Sequence, residues 1–263
     1  MVGTDGGRRP RRSKEELRSL LMSAGLAILE EEGLGIAAGD LTFKRVLARV
    51  EADTGIRVTN ASVIRRVWEN QADYQTDVLA AVGVAGDSAG ELGATVEALE
   101  AVLGHLDVSS PEARVRSMGE ICRVAGQTAF RTLVESPQWA LWVGVWVLAA
   151  TNVPSPADRR IRDALVEGYL RGTDLWMGLH GAVLPLLGLR PRAPLTLRQF
   201  TVSTGALVEG CALRQVGAED LDVIERPTGP GGAMQEWTLF AIGLEALAAQ
   251  FFEIDPDWVP PGD

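Results

Sequence analysis

Residues 59–68 are Thr-Asn-Ala-Ser-Val-Ile-Arg-Arg-Val-Trp, a short segment with apolar residues on one side and polar or basic residues on the other. Two longer amphipathic stretches precede it, at 13–32 and 40–55, and a further apolar stretch follows it to Val82. Helices in this order, with the third one short and polar on its outer face, are typical of a helix-turn-helix. The sequence therefore predicts a helix-turn-helix domain over residues 13–83.

Capping signals mark the ends of the predicted helices. Ser13 and Glu16 have the spacing of a capping box, so we expect the first helix to begin there. Its apolar residues recur every three or four positions, and Gly33 and Gly35 follow its end. Asp40 is the predicted cap of the second helix.

The charge of the chain is unevenly distributed. The whole sequence has a formal net charge of −10, yet residues 1–82 contain 12 Lys or Arg and 12 Asp or Glu and are neutral. Within them, residues 1–12 are rich in Gly and Arg, and we expect this basic arm to be disordered in isolation. A neutral head with a basic tip on an acidic body fits a protein that touches phosphates at one end.

The rest of the chain predicts a helical body over residues 84–254 and a tail over residues 255–263. The segment 83–90 is rich in Gly and Ala, which indicates the domain boundary. Prolines separate the apolar stretches that follow, and no alternating strand pattern is found. Further helices are expected at 90–107, 111–135, 137–151, 156–188, 195–216 and 234–252. The predicted class is all-α.

Motifs of enzymes and metal sites are missing from the sequence. There is no GxSxG, Walker A or Rossmann glycine motif, and Cys122, Cys211, His105 and His180 have no metal-ligand spacing. We expect no catalytic site, no metal and no cofactor, and an all-α enzyme is the third hypothesis. The apolar segment Trp139–Thr151 is shorter than the roughly 20 residues of a membrane span. Without a signal peptide, a cytoplasmic protein is expected.

The outer face of the segment 59–68 carries side chains suited to DNA. Val63, Ile64 and Val67 can face the protein, while the Asn and Arg side chains opposite can make bidentate contacts to adenine and guanine. Flanking cations and hydroxyls can hold phosphates. The predicted DNA contacts are Arg11, Arg12, Lys14, Thr42, Thr59, Asn60, Ser62, Arg65 and Arg66. An ordinary solvent-exposed helix is the alternative interpretation of the segment taken alone.

In pattern, Lys14 to Val82 resembles the TetR family of bacterial transcriptional regulators. The first helix is similar at Leu20, Ala24, Leu29, Glu32 and Gly33. The second is similar over Thr42–Val50, the segment Gly55-Ile-Arg-Val58 resembles the family's Gly-Val-Ser turn, and Ile64–Trp68 occupies the place of its Leu-Tyr-x-His-Phe segment. The chain has Arg65, Val67, Trp68 and Gln71 where the family has Tyr, His, Phe and Lys.

The resemblance implies a three-helix DNA-binding head and a larger helical body that binds a ligand and dimerises. Such regulators usually dimerise through their last two long helices, and here both corresponding stretches are apolar over more than one face. The expected dimer contacts are Leu207, Cys211, Leu244 and Leu247. Burial within a single chain is the alternative explanation of these apolar faces.

A group of aromatic residues indicates a ligand site. Trp139, Trp142 and Trp146 have the spacing of one helix face, and each indole needs space and an acceptor for its N–H. The predicted pocket is lined by Met118, Cys122, Phe130, Trp139, Trp142, Trp146, Trp176, Met177 and His180. These residues suit an apolar cavity for a hydrophobic or aromatic effector, with His180 as its polar contact. A fully packed core is the alternative interpretation.

Together these features predict a homodimeric DNA-binding transcriptional regulator, a repressor that a small hydrophobic effector releases from double-stranded DNA. The second hypothesis is a helical small-molecule-binding protein of similar fold that has lost specific DNA recognition. The changed family positions motivate it. No membrane partner is expected.

Overall fold

The protein is described by a computed structural model over residues 12–34, 41–85, 88–151, 155–215, 223–229 and 232–259. Its helices are α1 (Lys14–Glu32), α2 (Phe43–Thr54), α3 (Asn60–Arg66), α4 (Gln71–Ala85), α5 (Ser88–Leu103), α6 (Pro111–Glu135), α7 (Pro137–Thr151), α8 (Pro156–Leu186), α9 (Leu197–Gln215) and α10 (Leu239–Phe251). The predicted all-α class is confirmed, because helices account for most of these residues. Within the same ranges, no helix is both long and apolar enough to cross a membrane.

Two short antiparallel strand pairs accompany the helices. β1 (Leu189–Pro191) pairs with β4 (Phe252–Ile254), and β2 (Ile224–Arg226) pairs with β3 (Gln235–Trp237). The sequence predicted no strand, because three residues are too few to show the alternation by which a strand is recognised. The pairs are additions to a helical fold and leave its class unchanged.

The start of α1 follows from its sequence. The Ser13 hydroxyl accepts a hydrogen bond from the Glu16 N–H at 3.0 Å, and the Glu16 carboxylate accepts one from the Ser13 N–H at 2.8 Å. This reciprocal pair is the predicted capping box, which is confirmed. Gly33, directly after α1, has a φ of 75°, which favours glycine. Gly35 lies outside the described residues.

The chain divides into two compact units. The first contains the described residues up to Ala85 together with Ala140–Glu167, and the second contains those of Gly86–Trp139 and from Gly168 onward. The sequence predicted one boundary, at 83–90, with everything after it in the body. The structure differs because residues of α7 and α8 bury apolar side chains in the core of the first unit.

Tyr74 of α4 lies at the centre of the first unit's core. Its side chain is fully buried, and its hydroxyl donates to the carbonyl oxygen of Leu21 at 2.8 Å. The ring centroids of Phe43 and Trp68 lie 5.4 and 4.8 Å from its own. Burial raises the pKa of Tyr74, so its phenol stays neutral and remains a donor. These contacts hold α4 against α1 and α2.

The second unit is built around α6, which packs against α5 and α10. The rings of Phe130 on α6 and Phe240 on α10 stack with centroids 5.7 Å apart. Gln127, also buried on α6, accepts a hydrogen bond from the backbone N–H of Thr238 at 2.8 Å. Because the first N–H groups of a helix need acceptors from outside it, Gln127 helps to fix the start of α10.

Candidate nucleic-acid interface

α2 and α3 are the two helices of the predicted helix-turn-helix. α2 begins at Phe43, where the Thr42 hydroxyl accepts from the Arg45 N–H at 3.3 Å. Thr42, predicted as a DNA contact, is therefore the cap of α2, and Asp40, the predicted cap, lies outside the described residues. Gly55 ends α2 in the left-handed conformation, with a φ of 65°. The chain turns there toward α3.

α3 has only seven residues, and a helix that short needs contacts from outside to persist. The Thr59 hydroxyl caps it by accepting from the Ser62 N–H at 3.4 Å, and the two hydroxyl oxygens lie 3.0 Å apart. Val63 is fully buried and holds the inner side of the helix. Thr59 and Ser62, both predicted DNA contacts, thus stabilise the first turn. Asn60 is exposed in that turn.

The basic arm ends beside α3. The Arg66 guanidinium donates to the carbonyl oxygen of Arg12 at 2.8 Å, which joins the last turn of α3 to the first described residue of the arm. Arg12 and Lys14 are exposed. Arg11 and the side chain of Arg65, both predicted DNA contacts, lie outside what the structure describes. Sequence reasoning assigned Arg66 to phosphate alone and missed its contact with the arm.

Two cations of α2 are paired with carboxylates of α1. Arg49 donates to both oxygens of Glu31, at 2.6 and 2.8 Å, and Arg45 pairs with Glu32. The hydrogen bond from Arg49 lowers the pKa of Glu31. Lys44 of the same helix is exposed. The positive charge available to a polyanion near α2 is therefore smaller than the number of its cations indicates.

Trp68, just after α3, is held by a carboxylate that sequence reasoning missed. Its indole N–H donates to Asp77 at 2.8 Å, and Arg18 and Arg160 pair with the same carboxylate. Burial raises the pKa of Asp77, but the hydrogen bonds from Trp68 and Arg18 and the charges of Arg160 and Arg18 outweigh it. The pKa therefore lies below its ordinary value. Asp77 is negative at neutral pH.

The nine predicted effector-binding residues do not all belong to one unit. Trp142 and Trp146 belong to the first unit, and the other seven belong to the second. The rings of Trp142 and Trp146 meet edge to face with centroids 5.6 Å apart. Their indole N–H groups are buried and have no acceptor among the described residues. Packing satisfies their apolar bodies but leaves two donors unsatisfied.

The seven predicted effector-binding residues of the second unit differ in burial and in their neighbours. Phe130 and Cys122 are buried on α6, where burial also raises the pKa of the Cys122 thiol. Trp139 is buried, and its indole N–H likewise has no acceptor in the described part of the chain. Trp176 lies near His180, with ring centroids 6.2 Å apart. Met118 and Met177 are half-buried.

The first unit also contains a groove that sequence reasoning did not find. It has a volume of about 230 Å³ and lies between α4, α7 and α8. Much of its lining is aliphatic, including Leu79, Val145, Ala149 and Ile161. Ligand pockets are commonly about 300–1,000 Å³, so the groove suits only a compact molecule. Its walls lack the aromatic residues that drew attention to the predicted pocket.

His180 forms a neutral hydrogen-bonded pair with Thr201. The Thr201 hydroxyl donates to the carbonyl oxygen of Leu197 at 3.1 Å, so it accepts from the Nδ1–H of His180 at 2.9 Å. The imidazole also meets Phe200 edge to face, with centroids 5.0 Å apart. Burial lowers the pKa of His180 to about 4. His180 on α8 is therefore neutral and donates a hydrogen bond to Thr201 on α9.

Replacing His180 with Gln is expected to make the unfolding free energy of the protein less dependent on pH in mild acid. The folded-state pKa of His180 is about 4, below its ordinary 6.5, so its contribution is complete above pH 6.5 and is lost as the pH falls toward 4. That loss amounts to about 3 kcal/mol in the wild type. Gln can still donate to Thr201 and does not titrate. Urea unfolding from pH 7.5 to 4.5 measures the difference.

The comparison of the two proteins isolates His180 from other acid effects. The ion pair between Asp174 and Arg198 joins the same two helices and is present in both. Parallel plots of unfolding free energy against pH for the wild type and His180→Gln would contradict the assignment.

The predicted dimer contacts are partly used within the chain. Leu244 is 9% exposed, and a Cβ added at Gly126 would come within 2.9 Å of it, so it packs against α6. Leu207 packs in the same way against Gly243 of α10. Cys211 and Leu247 are half-buried. Packing within one chain therefore explains why Leu207 and Leu244 are apolar. A charge at either position would disturb the fold of the subunit itself.

No family model matches this chain, and no curated protein matches it either. In the described ranges, no group of three or more His, Cys, Asp or Glu side chains is placed to hold a metal ion.

Proposed function

We propose that this protein is a DNA-binding transcriptional regulator, a homodimeric repressor that a small hydrophobic effector releases from double-stranded DNA. The observation that carries the proposal is the surface around α3. It presents Asn60 in the capped first turn, with Arg57 exposed before it and Arg66 beside the basic arm after it. An asparagine amide can both donate and accept toward one adenine, while arginines on either side hold phosphates. We assign base contact to Asn60 and phosphate contact to the cations.

Unsatisfied indole donors support the effector part of the proposal. Trp142 and Trp146 keep buried N–H groups without an acceptor in the described part of the first unit. A molecule with an apolar body and an acceptor oxygen or nitrogen is the kind of ligand that these buried donors favour. To release the repressor, it must bind better to a conformation that DNA does not favour.

Selection from random DNA tests the proposal. The full-length protein would be incubated with a pool of duplexes of about 30 base pairs, long enough for two half-sites a helical turn or two apart. We expect an inverted repeat to be enriched, and the recovered duplex to be shifted in a native gel at lower protein concentration than a scrambled one. A pool that stays random after repeated selection at low salt would reject sequence-specific DNA recognition.

A helical ligand-binding protein without specific DNA recognition is the second candidate. Pairing of Arg45 and Arg49 with carboxylates of α1 favours it, because these ion pairs reduce the positive charge that α2 offers to DNA. The net charge of −10 acts in the same direction. This candidate predicts weak binding that is equal for selected and scrambled duplexes. The first candidate predicts a clear difference between them at the same salt concentration.

Two exposed helix faces support the homodimer part of the proposal. The first stripe, on α8, consists of Leu175, Gly178, Ala182 and Leu186. The second, on α9, consists of Val202, Ala206, Gly210 and Leu213. Residues three and four apart share one helix face, so the members of each stripe lie next to one another on an exposed side of the single chain. We propose that a second copy covers α8 and α9, with contacts distinct from Leu244.

Replacing Leu213 with Glu is expected to dissociate the dimer without unfolding the subunit. Leu213 is 53% exposed in the single chain, so the fold tolerates a charge there, whereas a dimer would bury it unpaired. An unpaired buried charge costs at least about 3 kcal/mol, which corresponds to roughly 100-fold weaker association. Sedimentation equilibrium at micromolar concentration measures the change. Val115→Glu, on the exposed side of α6, is the matched control and should leave the dimer intact. A wild-type monomer, or a dimer unaffected by Leu213→Glu, would reject this interface.

A further inference from the structure

The carboxylate of Asp77 on α4 lies where three other segments of the first unit meet. One oxygen accepts from the indole N–H of Trp68 at 2.8 Å and from Arg18 of α1 at 2.9 Å. The other oxygen pairs with Arg160 of α8. The Asp77 side chain is only 12% exposed. A single, mostly buried charge therefore joins α1, α8 and Trp68, which lies two residues after the end of α3.

Trp68 is immobilised by these neighbours. Its ring packs edge to face on buried Tyr74, and the Arg18 guanidinium lies 5.9 Å from its centroid. Asp77 provides the acceptor for its N–H, which would otherwise be a donor buried without a partner. Losing such an acceptor costs more than the hydrogen bond itself contributes. The indole is thus held in one orientation from three sides.

We propose that Asp77 is a positioning residue that sets the orientation of α3 by holding Trp68. α3 ends at Arg66, two residues before Trp68, so the indole fixes the C-terminal end of this seven-residue helix. Buried Val63 fixes its inner side. With both points held, the exposed first turn has a defined direction. The consequence for DNA binding rests on the proposed function, but how firmly α3 is held is measurable without DNA, through the exchange protection of its backbone amides.

Arg160 brings α8 into this arrangement. α8 also lies close to α4 further along both helices, where a Cβ added at Gly83 would come within 3.0 Å of the backbone nitrogen of Leu165. Packed backbones at that point leave little freedom in the spacing of the two helices. A displacement of the first turns of α8 therefore changes the support of Trp68 through Arg160 and Asp77.

The test combines hydrogen exchange of the α3 backbone amides, without DNA, with affinity for the duplex that the wild type selects. The variants are Asp77→Asn, Trp68→Phe and Arg160→Gln. We expect each to raise exchange in α3 and to weaken binding of the selected duplex. The loss should be about tenfold for Asp77→Asn and Trp68→Phe, the equivalent of one lost hydrogen bond to a charged group, and about threefold for Arg160→Gln, whose side chain is half exposed. Arg159→Gln is the matched control, because it removes the same charge from the neighbouring exposed position of α8. It should change neither quantity.

The sign of the Asp77→Asn effect separates positioning from simple electrostatics. Removing a negative charge strengthens attraction to a polyanion, so electrostatics alone predicts tighter binding. Tighter binding with unchanged exchange in α3 would overturn the inference, as would equal behaviour of Arg160→Gln and Arg159→Gln. If Asp77→Asn does not fold, Trp68→Phe and Arg160→Gln decide the question. Faster exchange in α3, in a protein whose wild type selects no duplex, would support the positioning role and reject the proposed function.

Discussion

Replacing Gly25 with Ala is expected to lower the unfolding free energy of the first unit by about 2–4 kcal/mol, through overpacking and a lost hydrogen bond. A Cβ at this position of α1 would overlap the hydroxyl oxygen of Tyr74 and lie 3.1 Å from a methyl carbon of Val78. The phenol would have to move and give up its hydrogen bond to the Leu21 carbonyl. The better helix propensity of Ala, about 1 kcal/mol, offsets only part of this loss.

A double-mutant cycle with Tyr74→Phe shows whether the hydroxyl is the cause. Removing the hydroxyl takes away the closest overlap and leaves tight contacts at 3.1 and 3.2 Å, so Gly25→Ala should cost about 2 kcal/mol less in the Phe background. Gly93→Ala on α5 is the control, since a Cβ there meets nothing within 4 Å, and it should be neutral or slightly stabilising. Urea unfolding of the four proteins measures the coupling. Additive effects of the two changes would show that the clash with Tyr74 is absent.

The beginning of α1 and the class of the fold could be predicted because their signals are local. The capping box at Ser13 and Glu16 involves residues three apart in the sequence. The helix-forming stretches are long enough to show the 3.6-residue period, which arises because one face of each helix is buried. Buried Val63 follows from the same periodicity. Strands of three residues carry no comparable signal, and they were missed.

The contacts that position α3 could not be predicted, because their partners are distant in sequence. Arg66 and Arg12 are 54 residues apart, and Arg160 and Asp77 are 83 apart. From the sequence, Asp77 is one of two aspartates on α4 and looks like a solvent-exposed residue until its three donors are located. Sequence pattern identifies which face of a helix is polar, whereas only the tertiary fold determines what that face meets.

Hydrophobicity likewise indicated burial without naming the partner. Leu244 lies on a helix that is apolar on several sides, which suggested a second subunit, but α6 of the same chain covers it. The exposed apolar stripe of α9 instead ends at Leu213. Trp142 and Trp146 also share a helix with Trp139, yet they belong to the other compact unit. Helical spacing places residues on a common face of one helix, but it does not determine which part of the fold each of them packs against.

Replacing Arg66 with Ala is expected to weaken binding to every DNA sequence, whereas replacing Asn60 with Ala should relax preference at one base pair. Arg66 supplies a charge at the end of α3 and donates to the Arg12 carbonyl at 2.8 Å, so its loss also removes the contact between α3 and Arg12. The slope of log affinity against log salt should therefore fall by about 1 or more. Arg66→Lys keeps the charge and should keep most of the slope. Adding Arg65→Ala should lower the slope further.

Asn60→Ala leaves the number of cations unchanged, so its salt slope should equal that of the wild type. Its exposed amide is lost from the first turn of α3, and discrimination at one position of each half-site should fall by about 1–3 kcal/mol. Fluorescence anisotropy with the selected duplex and with single-base-pair variants, over a series of salt concentrations, measures both quantities. An unchanged salt slope in Arg66→Ala would show that Arg66 does not contact a phosphate. Unchanged discrimination at every position in Asn60→Ala would show that α3 does not contact bases through this residue.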